Sequence, residues 1–357
     1  MRRRDLITLV GGAAAGWPLS ARAQQTDRMR RIGVLMNSIA NDPLGQARIA
    51  TFQQALRQLG WSDGRNVSIE IRWSGNDVDL DRRYASELIE HEPDVILAVG
   101  TLSVAALQRV ARALPIVFVS VADPVGAGIV DSLARPSGNT TGFMLFEYNL
   151  SGKWLELLKQ IAPDITHAVV LRDPTNPAGS AQFGALQAVA PSMGIELRPV
   201  DSRDAPGIER AFKILSGNSH GGVVVAPSAS ESPHRDLMIA LAAQYKLPAV
   251  YSFSNLVSAG GLISYGPDRV AQFRSGADYV DRILKGEKPG DLPVQAPTKY
   301  ELLINLRDRK GDRPDRSTVF AYQRRRGDRM RRREFIKLAG PLFSAGTITH
   351  SESWEWQ

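Results

Sequence analysis

Small polar residues gather at the ends of two short apolar runs, and that arrangement suits the binding of a small polar molecule. Gly100, Thr101 and Ser103 follow the run 95–99, and Ser120 and Asp123 stand at the end of the run 116–121. Thr101 and Ser103 open the helix-period segment 102–111, where free backbone N–H groups and the positive end of the helix dipole suit a carboxylate. Asp123 has the charge to pair with an amine. Motifs that would do other chemistry fail on context. Residues 217–221, GNSHG, fit the G-x-S-x-G pattern of a hydrolase, but they follow a helix and precede a strand, whereas a nucleophile elbow needs strand, turn, helix. Gly126 and Gly128 form a fragment of a dinucleotide fingerprint without its third glycine. The five histidines show no ligand spacing, and there are no cysteines for a thiolate site, a disulfide or a nucleophile. No catalytic residue, metal or cofactor is expected.

The elements that must hold these residues alternate. The runs 95–99 and 116–121 are β-branched and continuous, as strands buried on both faces are, and the segment between them makes a βαβ unit. Ligands of open α/β sheets sit outside the carboxyl ends of the strands, where the polar residues lie. Before this unit come a strand at 32–36, a helix at 45–59 closed by Gly60, a strand at 67–73 and a helix at 80–91. After it we expect a helix at 125–134 and an extended stretch at 141–146, where the chain first crosses to a second lobe. That lobe repeats the pattern, with helices at 152–161, 178–193, 207–215 and 233–245 and strands at 168–171, 195–200, 223–226 and 248–251. A strand at 262–265, a helix at 269–285, a Pro-rich 289–297 and a strand at 300–306 follow. The fold class is therefore α/β, with two doubly wound Rossmann-like lobes. Lobe 1 is expected to take 30–142 plus about 260–290, and lobe 2 143–259 plus about 295–307, leaving a hinged cleft between them.

The formal charge of +7 does not mark a nucleic-acid binder once it is divided along the chain. Four arginines against one aspartate give residues 1–23 a net of +3, and twelve Lys and Arg against seven Asp and Glu give 308–357 a net of +5. The intervening body carries −1, which offers no attraction to a phosphate backbone. The first 23 residues read as a signal peptide: Arg2-Arg3-Arg4, a weakly apolar 6–19, and Ala21-Arg22-Ala23 as the cleavage pattern. The pair Arg3-Arg4 is twin-arginine-like, and the apolar run is shorter than the roughly 20 residues of a membrane span. The mature protein is expected in the periplasm.

The segments RRIGVLMN, DPVGAGIVDSLARPSGNTTGF, SGKWLELLKQIAPDITHAVVLRDPTNPAG and GGLISYGPDRVAQF, with the RRRD start and LKGEKPGDLPVQAPTKYELLINL, resemble the substrate-binding proteins of ABC uptake transporters, of the tryptophan/tyrosine type. The resemblance runs from Met1 to about Leu306. It implies the type I periplasmic-binding fold, a small organic solute trapped as the lobes close, an ABC permease and ATPase as partners, a monomer, and no catalysis. It also implies contacts from Thr101, Ser103, Ala122 and Asp123 on lobe 1 and from Asn176, Ser228 and Tyr251 on lobe 2, with Asn37 and Ser38 closing the site. Tyr251 could stack on an aromatic ligand or serve as a core aromatic. Asp123-Pro124 and Asn176-Pro177 are also good capping pairs with proline at the first helical position, and capping alone would account for them. The solute implied is an amino acid or a related aromatic or carboxylate compound. A Rossmann-type soluble enzyme and a ligand-binding sensor subunit are the other readings.

The chain after about Arg307 departs from this grammar. Residues 308–329 are rich in Arg and Asp with few apolar side chains, and MRRREFIKL at 330–338 repeats the form of MRRRDLITL at 1–9. We expect 308–357 to be the product of a shifted reading frame and to be disordered, in place of an apolar final helix.

Overall fold

The computed structural model describes residues 28–305, apart from 137, 147, 219 and 231, together with 319–325. The expected signal peptide lies outside the described residues, as does the tail save for 319–325. The first lobe runs β1 (Arg30–Met36), α1 (Pro43–Gln58), β2 (Val67–Trp73), α2 (Val78–Glu90), β3 (Val95–Val99), α3 (Thr101–Val110), β4 (Ile116–Val121) and β5 (Thr140–Met144). Its five strands are all parallel, in the order β2-β1-β3-β4-β5. Every residue of β3 and β4 is buried, as expected of central strands covered by helices on both faces. Phe52 of α1 packs on one face of the sheet, and Leu88 of α2 with Leu107 of α3 on the other.

The second lobe takes up α4 (Ser151–Ile161), β6 (His167–Arg172), α5 (Pro177–Val189), β7 (Glu196–Asp201), α6 (Ala205–Ser216), β8 (Gly221–Val225), α7 (Arg235–Gln244), β9 (Ala249–Tyr251), the short α8 (Ser254–Ser258) and β10 (Ile263–Pro267). Then α9 (Arg269–Leu284) returns to the first lobe, where Phe273 and Val280 join the core beneath β3 and β4. The chain comes back as β11 (Lys299–Asn305). Trp154 and Leu158 of α4 and Leu186 of α5 cover one face of the second sheet, and Phe212 of α6 and Met238 of α7 the other.

Three crossings join the lobes: 145–150, 267–269 and 296–299. The second lies later than sequence suggested, because β10 pairs with β9 and β11 and so belongs to lobe 2. Two further expectations need correction. No helix forms at 125–134, which is a series of turns; Gly128 adopts φ 68° there, and two glycines within three residues weaken a helix that no packing demands. Residues 319–325, within the tail expected to be disordered, form β12 (Val319–Arg325), which pairs antiparallel with β11 at the end of the seven-stranded order β12-β11-β10-β9-β8-β6-β7. No helix among the described residues is long and apolar enough to cross a membrane.

Candidate functional site

A cavity of about 490 Å³, counting its mouth, lies between the lobes. Both walls are built from the carboxyl ends of strands, as open parallel sheets dictate.

On the lobe 1 side the wall is made of a helix start and small, mostly polar residues. Asn37 follows β1, Gly100 and Thr101 follow β3, and Ser120 and Ala122 end β4; all line the cavity. Gly100 is the N-cap of α3, with φ 84° and no side-chain cap, so the first N–H groups of that helix are left for another acceptor. A Cβ on Gly100 would fall 3.1 Å from Asn37 Nδ2, which shows how closely the Asn37 amide lies against the start of α3. Ser120 has φ 60° at a break in the β4–β5 register, and the bulge turns it into the cavity. Gln272 of α9 fixes it. Ser120 N–H donates to Gln272 Oε1 at 3.1 Å, and Gln272 Nε2 donates to the Met144 carbonyl at 3.1 Å, tying the bulge to the end of β5.

Lobe 2 presents side chains. Asn176, at the start of α5, and Ser228, after β8, line the cavity. Asn176 Oδ1 accepts from Ala178 N–H at 3.0 Å, so it caps α5 as well as facing the cavity. Ser228 Oγ accepts from Asp173 N–H at 3.3 Å. Sequence reasoning missed Gln182, Phe253 and Arg269. Gln182 lies on α5 and is 1% exposed. Phe253 comes two residues after β9, and the Arg269 guanidinium, at the second crossing, sits 4.4 Å from the centre of its ring. Arg269 is the only charged side chain among the described residues lining the cavity. Two buried carbonyl oxygens here, Asn37 Oδ1 and Gln182 Oε1, accept no hydrogen bond. Native proteins rarely leave buried acceptors so.

Four expected site residues do not line the cavity. Ser38 is buried under the first turn of α1, where a Cβ on Gly45 would meet its Oγ. Asp123 turns back to its own loop, its Oδ1 accepting from Gly126 N–H at 3.0 Å, which closes a turn in place of the expected helix cap and leaves Asp123 out of the cavity lining. Tyr251 is 1% exposed in the lobe 2 core beside α6 and α7, and burial pushes its phenol pKa up. Ser103, fully buried, faces away from the cavity and donates to Asp81 Oδ1 at 2.8 Å. Asp81, on α2, is itself buried, and burial raises its carboxyl to about 6 despite the bond from Ser103.

At the mouth the lobes touch through charge. Asp42 caps α1 with Oδ2, accepting from Gly45 N–H at 3.0 Å, while its Oδ1 lies 3.5 Å from Arg235 Nη2 at the start of α7. The pair joins lobe 1 to lobe 2 and spans the cleft.

Comparison with known proteins agrees with this architecture. Residues 32–311 match the family model described as ABC transporter substrate binding protein. A tyrosine-binding protein of Clostridioides difficile is 26% identical over 286 residues, covering 79% of this chain and 81% of the relative. A conserved domain protein from Vibrio cholerae superposes with a TM-score of 0.71 at 25% identity, covering 78% of this chain and 93% of that one. An ABC domain from Streptococcus pneumonia in complex with L-Trp has a TM-score of 0.69 at 23% identity, over 78% and 92% of the two chains, a likeness of fold.

Proposed function

The chain belongs to the ABC transporter substrate-binding protein family, and we propose that it is an exported receptor which binds an aromatic amino acid or a close relative between its lobes and delivers it to an ABC permease and ATPase. The observation that carries this reading is the composition of the cavity: an uncapped helix start on one lobe faces buried polar and aromatic side chains on the other. A carboxylate at the first turn of α3 satisfies those N–H groups and meets the positive end of the dipole. An ammonium on the adjacent carbon is matched by Asn37, whose amide lies against that turn and whose buried Oδ1 accepts no other hydrogen bond. Leu145 and Phe253 give the rest of the molecule apolar surface. The tyrosine-binding relative supports the same class of ligand.

Such a ligand contacts both lobes only when they are closed, so binding selects the closed form, and that form is what the membrane partner reads. The three crossings are where the chain bends. The Asp42–Arg235 pair adds an ionic contact between the lobes. The signal-like residues 1–23 support export to the periplasm, with cleavage after Ala23.

A thermal-shift panel of amino acids, aryl acids and amides on the full chain tests this. At about 100-fold over its dissociation constant, the cognate ligand should stabilise the protein by roughly 2.7 kcal/mol. A panel in which no aromatic amino acid raises the melting temperature would overturn the proposal.

A further inference from the structure

We infer that Gln182 is the specificity-determining residue of the cavity and that it requires the ligand's ring to carry a hydrogen-bond donor, a phenol O–H or an indole N–H. The inference deepens the proposed function and rests on it. Gln182 sits in the middle of α5, with Ala178 and Leu186 one turn before and after it on the same face, and both of those are buried. A glutamine placed in such an apolar row is 1% exposed, lines the cavity, and has an Oε1 that accepts no hydrogen bond. Leaving a buried acceptor unpaired is costly, so the position is explained if a bound molecule supplies the donor.

The donor can be assigned to one end of the ligand. An α-amino acid carries its carboxylate and ammonium on a single carbon. With the carboxylate at the first turn of α3 and the ammonium beside Asn37, lobe 1 takes both polar groups, and the side chain is what reaches lobe 2. Gln182 is a lobe 2 residue, so it faces the ring rather than the amino acid head. A phenyl ring there would leave Oε1 buried and unpaired, whereas a phenol or an indole would satisfy it. Sites built to pair a substrate O–H or N–H reject analogues lacking it far more strongly than apolar pockets reject a change of size.

The test is calorimetric titration of the full chain and of Gln182→Met with L-tyrosine, L-tryptophan and L-phenylalanine. The unaltered protein should bind tyrosine or tryptophan at least about 100-fold more tightly than phenylalanine. Methionine, similar in length and without an acceptor of comparable strength, should narrow that gap to about fivefold or less. Should Gln182→Met fail to fold, 3-(3-benzothienyl)-L-alanine on the unaltered protein asks the same question, since it replaces the indole N–H by sulfur and keeps the bicyclic shape; where tryptophan binds, a loss of about 100-fold is expected. Phenylalanine binding as tightly as tyrosine and tryptophan, or a preference kept intact in Gln182→Met, would overturn the inference while leaving the amino acid reading standing. No binding of any aromatic amino acid would overturn both.

Discussion

Lobe 1 meets the cavity with an uncapped helix start and small, mostly polar residues, and lobe 2 adds a long amide and an aromatic ring. In the first, the bulge at Ser120 and the start of α3 are held by groups behind them: Gln272 from α9 and, through Ser103, Asp81 from α2. In the second, Gln182, Ser228 and Phe253 project from a helix and two strand ends. Backbone N–H groups bind an anion whatever else the ligand carries, while side chains can differ between relatives without disturbing the sheet. In the function proposed above, the difference becomes a division of labour: a fixed head-group anchor on one lobe and ligand selection on the other.

The comparison breaks most severely at Gly100. Gly100→Val puts a β-branched residue at φ 84° and drives its Cβ toward Asn37 Nδ2. We expect a loss of about 3 kcal/mol in binding, more than 100-fold, for every ligand alike, measured by titration against a chain whose circular dichroism is unchanged.

The next largest effect is on stability. The Asp81 carboxyl is raised from 3.8 to about 6, so the folded protein holds that proton more tightly than the unfolded chain does. Stability is therefore present in full below about pH 4 and is lost as pH rises through 6; by pH 7 the ionised carboxylate costs roughly 3 kcal/mol. Asp81→Asn keeps an acceptor for Ser103 and removes the charge. It should melt higher at pH 7, match the parent near pH 3.5, and leave ligand preference untouched, as checked by melting curves across that range.

A smaller change is expected at the mouth. Asp42→Asn retains the cap on Gly45 N–H but gives up the ion pair with Arg235, so affinity should fall by about 1 kcal/mol at low salt, and less at high salt. Smallest of all is Asp123→Asn. Since Asp123 serves only its own turn, an amide that caps as well should leave affinity for amine-bearing ligands within about twofold, read by the same titration.

Much of lobe 1's wall was legible in the sequence because strand ends are easy to find: buried β-branched runs end in small polar residues, and Gly100, Thr101 and Ser120 follow from that rule, while Asn37 and Ala122 came from the family resemblance. The rule could not choose between faces. Thr101 and Ser103 both lie in the first turn of α3, yet one faces the cavity and the other Asp81, a partner 22 residues earlier in the chain. Asp123 and Tyr251 were favoured for their chemistry, and packing decided otherwise: a turn took the carboxylate and a core took the ring. Two of the missed residues left a trace. Arg269 stands at the first position of a helix, the wrong end of the dipole for a cation, and Gln182 interrupts an apolar face. Phe253 gave no such sign. The second crossing was misplaced because β10 pairs on both sides within lobe 2, which its own residues do not announce.

The head-group anchor is the centre of this account, and one measurement addresses it without altering the protein: calorimetric titration with L-tyrosine and with tyramine, which differs only in lacking the carboxylate. With the carboxylate bound at the first turn of α3, L-tyrosine should bind one to one and tyramine at least about 100-fold more weakly. Tyramine binding within a few-fold of L-tyrosine would contradict it.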